Sequence, residues 1–421
     1  MSGGTAPTYE RGVAVVGLGY IGLPTSAVLA DRGVRVHGVD LDQRVVDMVN
    51  GGRVHIIEPD LDDLVRRVVE QGRLTATRDL VPADVYVVAV PTPFKGDHEP
   101  DLTHVEAATR AIAQVLQGGE LVILESTCPP GSTAAMSAWI AEERPDLRLP
   151  HQHPDDPDVH LAHCPERVLP GKTLEELVSN DRVVGGLTPE CSRRAARLYE
   201  LFCEGEISLT DAATAEMAKL VENTFRDVNI AFANELATIC DRLGLDVWSV
   251  IELANHHPRV NVLQPGPGVG GHCIAVDPWF IAAAAPAQAR LIRQAREVND
   301  DRPQQVVDQV SVQAPEGGTV ACLGLAFKPD VDDLRQSPAV EVVRRLAEAR
   351  PDLTLLAVEP YADALPAELA AYDTVVLRDL GTALQESDVV VLLVHHAELA
   401  ALDPATLAGR GLVDTRGVWR S

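Results

Sequence analysis

The feature that most constrains this chain is a glycine signature inside a complete strand–helix–strand pattern. Val13-Ala-Val-Val16 is a short apolar run of the kind that forms a strand buried on both faces. Gly17-Leu-Gly-Tyr-Ile-Gly22 follows directly, Leu23 to Arg32 reads as a helix ending at Gly33, and Val34-Arg-Val-His-Gly-Val39 is a second strand closed by Asp40. A lone GxGxxG carries little weight. Following a strand, opening a helix, and with an acidic residue 18 positions after its last glycine, it specifies a dinucleotide-binding unit. Gly17 allows the tight turn, Gly19 lets backbone approach a pyrophosphate, and Gly22 lets helix and strand pack closely. The helix N-terminus offers N–H groups and a positive dipole end to the phosphates. Asp40 would accept hydrogen bonds from ribose hydroxyls and repel a 2′-phosphate, which favours NAD over NADP.

The rhythm continues. Asp84-Val-Tyr-Val-Val-Ala-Val90 runs into Pro91-Thr92-Pro93, and Leu121-Val-Ile-Leu124 into Glu125-Ser126-Thr127. Thr92 and Thr127 thus fall at strand C-terminal ends, where open α/β sheets bind ligands, although threonines there also satisfy local backbone groups. From Ala212 to Leu243 apolar residues recur at helical spacing, from Met217 and Leu220 to Ile239 and Leu243. Thr210 or Asp211 can cap this helix and Gly244 can end it. Lys219 and Asn223 share one of its faces. The last third restarts an α/β pattern, with strands at Thr319–Ala326, Leu353–Val358 and Asp388–Val394 and a helix at Ser337–Ala349. The loop Phe327–Arg335 places Lys328 and Arg335 at that sheet's ligand-binding end. The expected architecture is α/β: two Rossmann-like, doubly wound parallel-sheet domains joined by a long central helix. The boundaries read as a flexible tail over 1–11, an NAD-binding Rossmann domain over 12–209, a central helical domain over 210–314 that carries the Cys273 loop and is expected to form a dimer interface, and a second, Rossmann-like domain over 315–421 expected to bind the second substrate.

Chain length supports that division, since 421 residues are too many for one core. A net charge of -26 argues against nucleic acid as a partner, because phosphate must be neutralised by Lys and Arg. No apolar run reaches the ~18 residues that span a bilayer, and Met1 to Arg11 does not look like a signal peptide. Seven cysteines without paired spacing point to a reduced, cytoplasmic chain. The segment Arg144 to Asp158 is rich in Pro and Asp. The histidines in and after it, His151, His153, His160 and His163, with Cys164 beyond, match no tight ligand pattern. No metal is expected, and 151–163 reads as an exposed insertion.

The second chemical signal is Cys273, in Gln264-Pro-Gly-Pro-Gly-Val-Gly-Gly-His-Cys-Ile-Ala-Val-Asp277. Most unpaired cysteines are small buried hydrophobes. A thiol on a glycine-rich loop beside a hydride acceptor suggests more. An aldehyde made by a first oxidation could be trapped as a thiohemiacetal, oxidised again to a thioester, and released by water as a carboxylate.

GLGYIGLP, VPTPF, EST, CPERVLPG, EMAKLVENTFRDVNIAFANE, HPRVNVLQPGPGVGGHCIAVDPWF and FKPDVDDLRQSP together resemble the UDP-glucose/GDP-mannose dehydrogenase family over nearly the whole chain, Val13 to about Val418. PGPGVGGHCIAVDPWF most resembles its UDP-N-acetyl-D-mannosamine dehydrogenase branch. The resemblance implies four-electron oxidation of a sugar C6 hydroxyl with NAD as cofactor. It assigns Cys273 as nucleophile and Lys219 with Asn223 as the oxyanion site. Asp277 and Thr127 orient a water, and Glu166 is the base for thioester hydrolysis. Cofactor contacts are implied for Gly17, Gly19, Tyr20, Ile21, Gly22, Asp40, Arg44, Thr92, Thr127 and Lys328. Substrate contacts are implied for Glu166, Arg167, Lys219, Asn223, Arg259, Gly270, Lys328 and Arg335, with Arg259 reaching the neighbouring subunit's site in several relatives. The expected partners are a UDP-N-acetylhexosamine and a second copy of the chain, without nucleic acid or membrane.

Three alternatives differ in what they require. The same chemistry on UDP-N-acetylglucosamine or UDP-glucose needs only a changed pocket. A non-enzymatic sensor of NAD or nucleotide-sugar has no use for Cys273, Lys219, Asn223 and Asp277. A cysteine hydrolase needs a base such as His272, whose side chain on an extended loop points away from its neighbour's, and it leaves the NAD signature unexplained.

Overall fold

The computed structural model describes residues 9–56, 58–96, 98–169, 171–271 and 273–419. The chain divides into two compact units, one ending at Glu222 and the other beginning at Asn223.

Strands of the first unit are β1 (Val13–Val16), β2 (Val36–Val39), β3 (Leu74–Thr77), β4 (Val85–Val88), the hairpin pair β5 (Phe94–Lys95) and β6 (Glu99–Pro100), β7 (Leu121–Leu124), β8 (His160–His163), β9 (Arg182–Gly186) and β10 (Ile207–Asp211). Its helices are α1 (Gly22–Asp31), α2 (Gln43–Asn50), α3 (Leu61–Glu70), α4 (Thr103–Ala113), α5 (Ser132–Glu143), α6 (Thr173–Ser179) and α7 (Pro189–Tyr199). The main sheet runs β10-β9-β8-β7-β4-β1-β2-β3. From β3 to β8 all pairs are parallel, in the doubly wound order. β9 runs antiparallel to β8 and carries β10 parallel to itself, so the sheet is mixed at one edge. Strands β1, β4 and β7 are buried along their whole length because helices cover both faces. Leu23, Val65, Leu198 and Phe202 pack on one face, and Ile112, Met136 and Ile140 on the other.

One reading is corrected in this unit. The segment 151–163 is not one exposed insertion. Its first residues are exposed, but His160 to His163 form β8, an internal strand with neighbours on both edges. Burial drives the His160 and His163 imidazoles down to about 4 and about 3, so both are held neutral. His-Leu-Ala-His has no period-two alternation, and all four residues are buried, so the strand left no pattern in the sequence. The expected tail over 1–11 lies outside the described residues up to position 8, and its last residue is pinned. Arg11 Nε donates to Asp84 Oδ1 at 2.8 Å and Nη1 to Glu120 Oε1 at 3.1 Å.

Helix α8 (Ala212–Leu243) links the units and spans their division. Asp211 caps it, accepting from Thr214 N at 2.9 Å and Thr214 Oγ1 at 2.6 Å. Gly244, at φ +66°, ends it. Within the second unit α8 packs on α11 (Arg290–Gln313), past α9 (Val247–Asn255) and α10 (Asp277–Ala284) in the chain. A buried polar seam joins α8 to α11. Arg296 Nη1 donates to Asp227 Oδ1 at 2.6 Å, Asn299 Nδ2 to the same oxygen at 2.8 Å, and Asn234 Nδ2 to Asn299 Oδ1 at 2.9 Å.

The second unit's strands are β11 (Thr319–Leu323), β12 (Thr354–Val358), β13 (Val375–Leu377), β14 (Val389–Leu392) and β15 (Gly411–Asp414). They form an all-parallel sheet in the order β13-β12-β11-β14-β15. Helix α12 (Pro338–Ala349) covers one face through Val342, Val343 and Leu346. This is a second Rossmann-like layer, with its ligand end at the loop after β11.

Candidate active site

The turn after β1 has the stereochemistry that a dinucleotide needs. Gly17 has φ +93°, and a Cβ there would lie 2.5 Å from the Ala89 carbonyl oxygen. A Cβ at Gly22 would lie 1.8 Å from the Gly17 carbonyl oxygen, so helix and turn can approach only without a side chain. A Cβ on Gly19 meets nothing within 4 Å, leaving that backbone open to a ligand. Asp40, at the end of β2, accepts from Leu18 N through Oδ2 at 3.0 Å and from Asp42 N through Oδ1 at 2.9 Å. Its carboxylate is thereby fixed against the glycine turn, with a lone pair left on each oxygen for a ribose diol. These residues fit the adenosine and pyrophosphate of NAD. Tyr20 is exposed and Ile21 half-buried at the start of α1. Arg44 is exposed and pairs with its neighbour Asp42 at 2.8 Å.

The C-terminal ends of β4 and β7 are tied together, because Thr92 Oγ1 donates to the Thr127 carbonyl at 2.6 Å. Beside them lies a buried charged cluster that sequence reading missed. Glu166 is buried after β8, with Oε1 accepting from Arg167 N at 2.6 Å and Oε2 3.8 Å from Arg182 Nη1. The Arg182 guanidinium lies over the Tyr199 ring at 4.8 Å and the Phe202 ring at 5.2 Å. Tyr199 Oη donates to Glu125 Oε1 at 2.8 Å. Burial, then the charge of Glu166, raises the Glu125 carboxyl from 4.5 to about 7. Arg182 gave no signal in sequence, since its partners Glu166, Tyr199 and Phe202 lie at distant places in the chain. Arg167 turns outward, pairing with Glu222 at 2.7 Å and donating to the Asp181 carbonyl at 3.0 Å. Lys219 is half-buried on α8, one turn before Asn223.

In the second unit Cys273 is an exposed thiol in the turn that opens α10. Its carbonyl accepts from Val276 N at 3.0 Å and Asp277 N at 2.9 Å. Asp277 is buried, and Asn223 Nδ2 donates to its Oδ2 at 2.5 Å. Asn223 and Asp277, 54 residues apart, therefore form one unit behind the cysteine turn. Upstream, Gly270 admits no side chain, since a Cβ would fall 2.3 Å from the Gln336 carbonyl oxygen and 2.5 Å from Pro338 Cδ. Gly271 N donates to that same Gln336 carbonyl at 3.2 Å. The cysteine loop is thus held against the loop after β11. There the Lys328 ammonium lies 5.6 Å from the Phe327 ring centroid, and Arg335 pairs with Asp333 at 2.7 Å. Arg259 is not drawn into this cluster and stands exposed on the segment after α9. His272 lies outside the described residues.

Among the described residues, Cys128, His163 and Glu216 bring potential ligand atoms within 4.8 Å of one another. Glu216 accepts from Gly131 N, Thr133 N and Thr133 Oγ1 at 2.6–2.7 Å, at the start of α5.

One unit carries a dinucleotide turn and the other a loop thiol, the parts that a nucleotide-dependent dehydrogenase needs. Family models agree. The NAD-binding, central and UDP-binding domains of the UDP-glucose/GDP-mannose dehydrogenase family match residues 11–203, 213–301 and 321–421. An NDP-N-acetyl-D-galactosaminuronic acid dehydrogenase of Ralstonia nicotianae is 57% identical over 97% of this chain and 96% of its own. A UDP-N-acetyl-D-mannosamine dehydrogenase of Yersinia pestis is 54% identical over 97% of this chain and 99% of its own. Among solved structures, a UDP-D-ManNAc dehydrogenase from Pyrococcus horikoshii superposes with a TM-score of 0.86 at 36% identity, covering 97% of this chain and 96% of that one. The chain belongs to the UDP-glucose/GDP-mannose dehydrogenase family, whose members are NAD-dependent UDP-sugar dehydrogenases.

Proposed function

We propose that this protein oxidises the C6 hydroxyl of UDP-N-acetyl-D-mannosamine to the carboxylate of UDP-N-acetyl-D-mannosaminuronate, with Cys273 carrying the intermediate. The observation that carries the reading is an exposed thiol in a turn backed by buried Asp277, which half-buried Asn223 holds by a hydrogen bond. In balance, one alcohol, two NAD and one water give one carboxylate, two NADH and three protons. NAD, when bound at the Gly17–Gly22 turn, accepts a hydride in each oxidation.

The chain's own residues do the rest. Lys219 and Asn223 stabilise the alkoxide as the C6 hydroxyl loses its proton, through Asp277 and a water oriented with Thr127. Preorganised donors of this kind contribute about 3 kcal/mol each to such a step. The Cys273 sulfur then bonds to the aldehyde carbon, and the carbonyl oxygen takes up a proton to give the thiohemiacetal. This keeps the aldehyde from escaping before the second oxidation yields the thioester. Glu166 takes a proton from the attacking water, the C–O bond forms, and the C–S bond breaks to return the thiol. Lys328 and Arg335 hold the nucleotide end, with Arg167, Gly270 and Arg259 as further substrate contacts. Tyr20, Ile21, Arg44 and Thr92 complete the cofactor contacts.

A second substrate is favoured by a specific observation, the name of the Ralstonia relative, which points to an N-acetylgalactosamine nucleotide, differing from UDP-ManNAc at both C2 and C4. The test is NADH formation by the purified protein with equal concentrations of UDP-ManNAc, UDP-GalNAc, UDP-GlcNAc and UDP-glucose. Two NADH per UDP-ManNAc, with little signal from the others, supports the reading. Preference for another sugar replaces the substrate and keeps the chemistry. Tight UDP-sugar binding with no NADH from any sugar leaves the sensor.

The same reading includes a homodimer. Val221, Phe225, Phe232, Ile239 and Leu243 expose an apolar row along α8, and a second copy would cover it. Cytoplasmic residence fits seven cysteines outside disulfides. Among the described residues, no helix is long and apolar enough to cross a membrane.

A further inference from the structure

The loop from Phe327 to Gln336 is held from both ends. At its far end the Gln336 carbonyl accepts from Gly271 N, two residues before Cys273. At its near end a histidine from another strand reaches in. His396 follows β14, and its side chain is fully buried. Its Nδ1 accepts the backbone N–H of Asp330 at 2.9 Å. That donor assigns the ring proton to Nε2, which donates to Glu359 Oε2 at 3.2 Å. Glu359 follows β12 and also accepts Leu325 N at 2.6 Å and Ala326 N at 2.9 Å. It therefore fastens the turn from which the loop departs. Asp330 Oδ1 in turn accepts Ala397 N at 2.9 Å and Tyr361 Oη at 3.3 Å. Both Asp330, at φ +59°, and Gln336, at φ +51°, occupy the left-handed region although neither is glycine. Such positions cost about 1–3 kcal/mol and persist where surrounding contacts over-determine them.

Nothing in the proposed chemistry uses His396. We propose that His396 is a positioning residue that holds the Phe327–Gln336 loop, and through Gln336 the Cys273 loop, in the form that receives the nucleotide-sugar. This rests on the reading that Lys328 and Arg335 bind the nucleotide end. The arrangement makes one mechanical piece of β12, β14, the nucleotide loop and the cysteine loop. Without the Nδ1 acceptor, the backbone N–H of a residue in the left-handed region loses its partner, and the loop relaxes.

The test uses the full-length protein and three variants. His396→Leu removes both hydrogen bonds, His396→Asn restores an acceptor near the Nδ1 position, and His396→Gln reaches towards Glu359 instead. UDP and NAD affinities are measured by calorimetry, and alkylation of Cys273 by iodoacetamide is followed on its own peptide. His396→Leu is expected to weaken UDP binding about tenfold, leave NAD binding unchanged and speed Cys273 alkylation about threefold or more. His396→Asn should return UDP affinity to within about threefold of wild type, a rescue that loss of packing alone would not give. If His396→Leu does not fold, His396→Gln takes its place with the same expected loss. A folded Leu or Gln variant with wild-type UDP affinity overturns the proposal, as does an Asn variant no better than Leu. Failure of the wild type to bind UDP would instead remove the nucleotide reading. Cys273 alkylation needs no nucleotide and still decides, since an unchanged rate in the variant overturns the coupling.

Discussion

Asp40→Asn tests cofactor recognition at the glycine turn, and it also takes one internal acceptor from Leu18 N or Asp42 N, because an amide nitrogen cannot accept. Asp40 spends one lone pair of each carboxylate oxygen inside the protein, on Leu18 N at 3.0 Å and Asp42 N at 2.9 Å. The remaining pair on each oxygen is available to the two ribose hydroxyls. Asparagine keeps the shape and one acceptor, but it removes the charge and turns the other acceptor into a donor. One charged hydrogen bond is lost and the other weakened. With charged bonds contributing about 1.5–3 kcal/mol, the combined loss is about 2–3 kcal/mol, or roughly 30- to 150-fold in NAD affinity. Calorimetry with NAD reads this directly, with UDP binding and thermal unfolding as controls for the fold. The penalty against NADP should shrink, because a 2′-phosphate no longer faces a carboxylate. A folded variant that binds NAD within about threefold of wild type would refute the placement of the ribose at Asp40.

Cys273→Ser should reduce acid formation by at least about a thousandfold, on the scale of losing a covalent nucleophile, in single-turnover product analysis. Acid formed at the wild-type rate would sink the covalent route. Asp227→Ala removes one of the two carboxylates that face buried Arg296, leaving Asp300, and takes the Asp227 Oδ1 acceptor from Asn299 Nδ2. It should cost about 2–3 kcal/mol, read as an earlier unfolding transition in urea. A shift under about 1 kcal/mol would show that the seam is not closed in solution. Glu125 carries a pH signature. Its carboxyl is raised from 4.5 to about 7, so the folded state holds a proton that the unfolded state releases, and this contribution to stability falls as pH rises between those values. His160 and His163, lowered from 6.5 to about 4 and about 3, carry the opposite slope, losing stability as pH falls. The informative quantity is therefore the difference in urea midpoint between wild type and Glu125→Gln. That difference should grow in the variant's favour from pH 5 towards pH 8, and a flat difference would count against the raised carboxyl.

What could be read from the chain alone is what local chemistry dictates. The Gly17–Gly22 turn, Asp40, the strands at Val13 and Leu121 and the long helix were all legible, the helix cap only as Thr210 or Asp211. A glycine turn, a buried parallel strand and an amphipathic helix are each specified by residues close in sequence. The Cys273 loop and the loop after β11 were visible as motifs for the same reason. Tertiary structure decided the partnerships. His160 and His163 look like loop or metal residues until β7 and β9 flank them and burial holds them neutral. Asn223 and Asp277 become one pair, Arg182 joins Glu166 and Glu125, and His396 reaches Asp330, only because strands and helices far apart in the chain meet. Side chains such as Arg182 and His396 have no periodicity or spacing to announce them. Their roles arise from desolvation and from the donors and acceptors that the fold brings within hydrogen-bond reach.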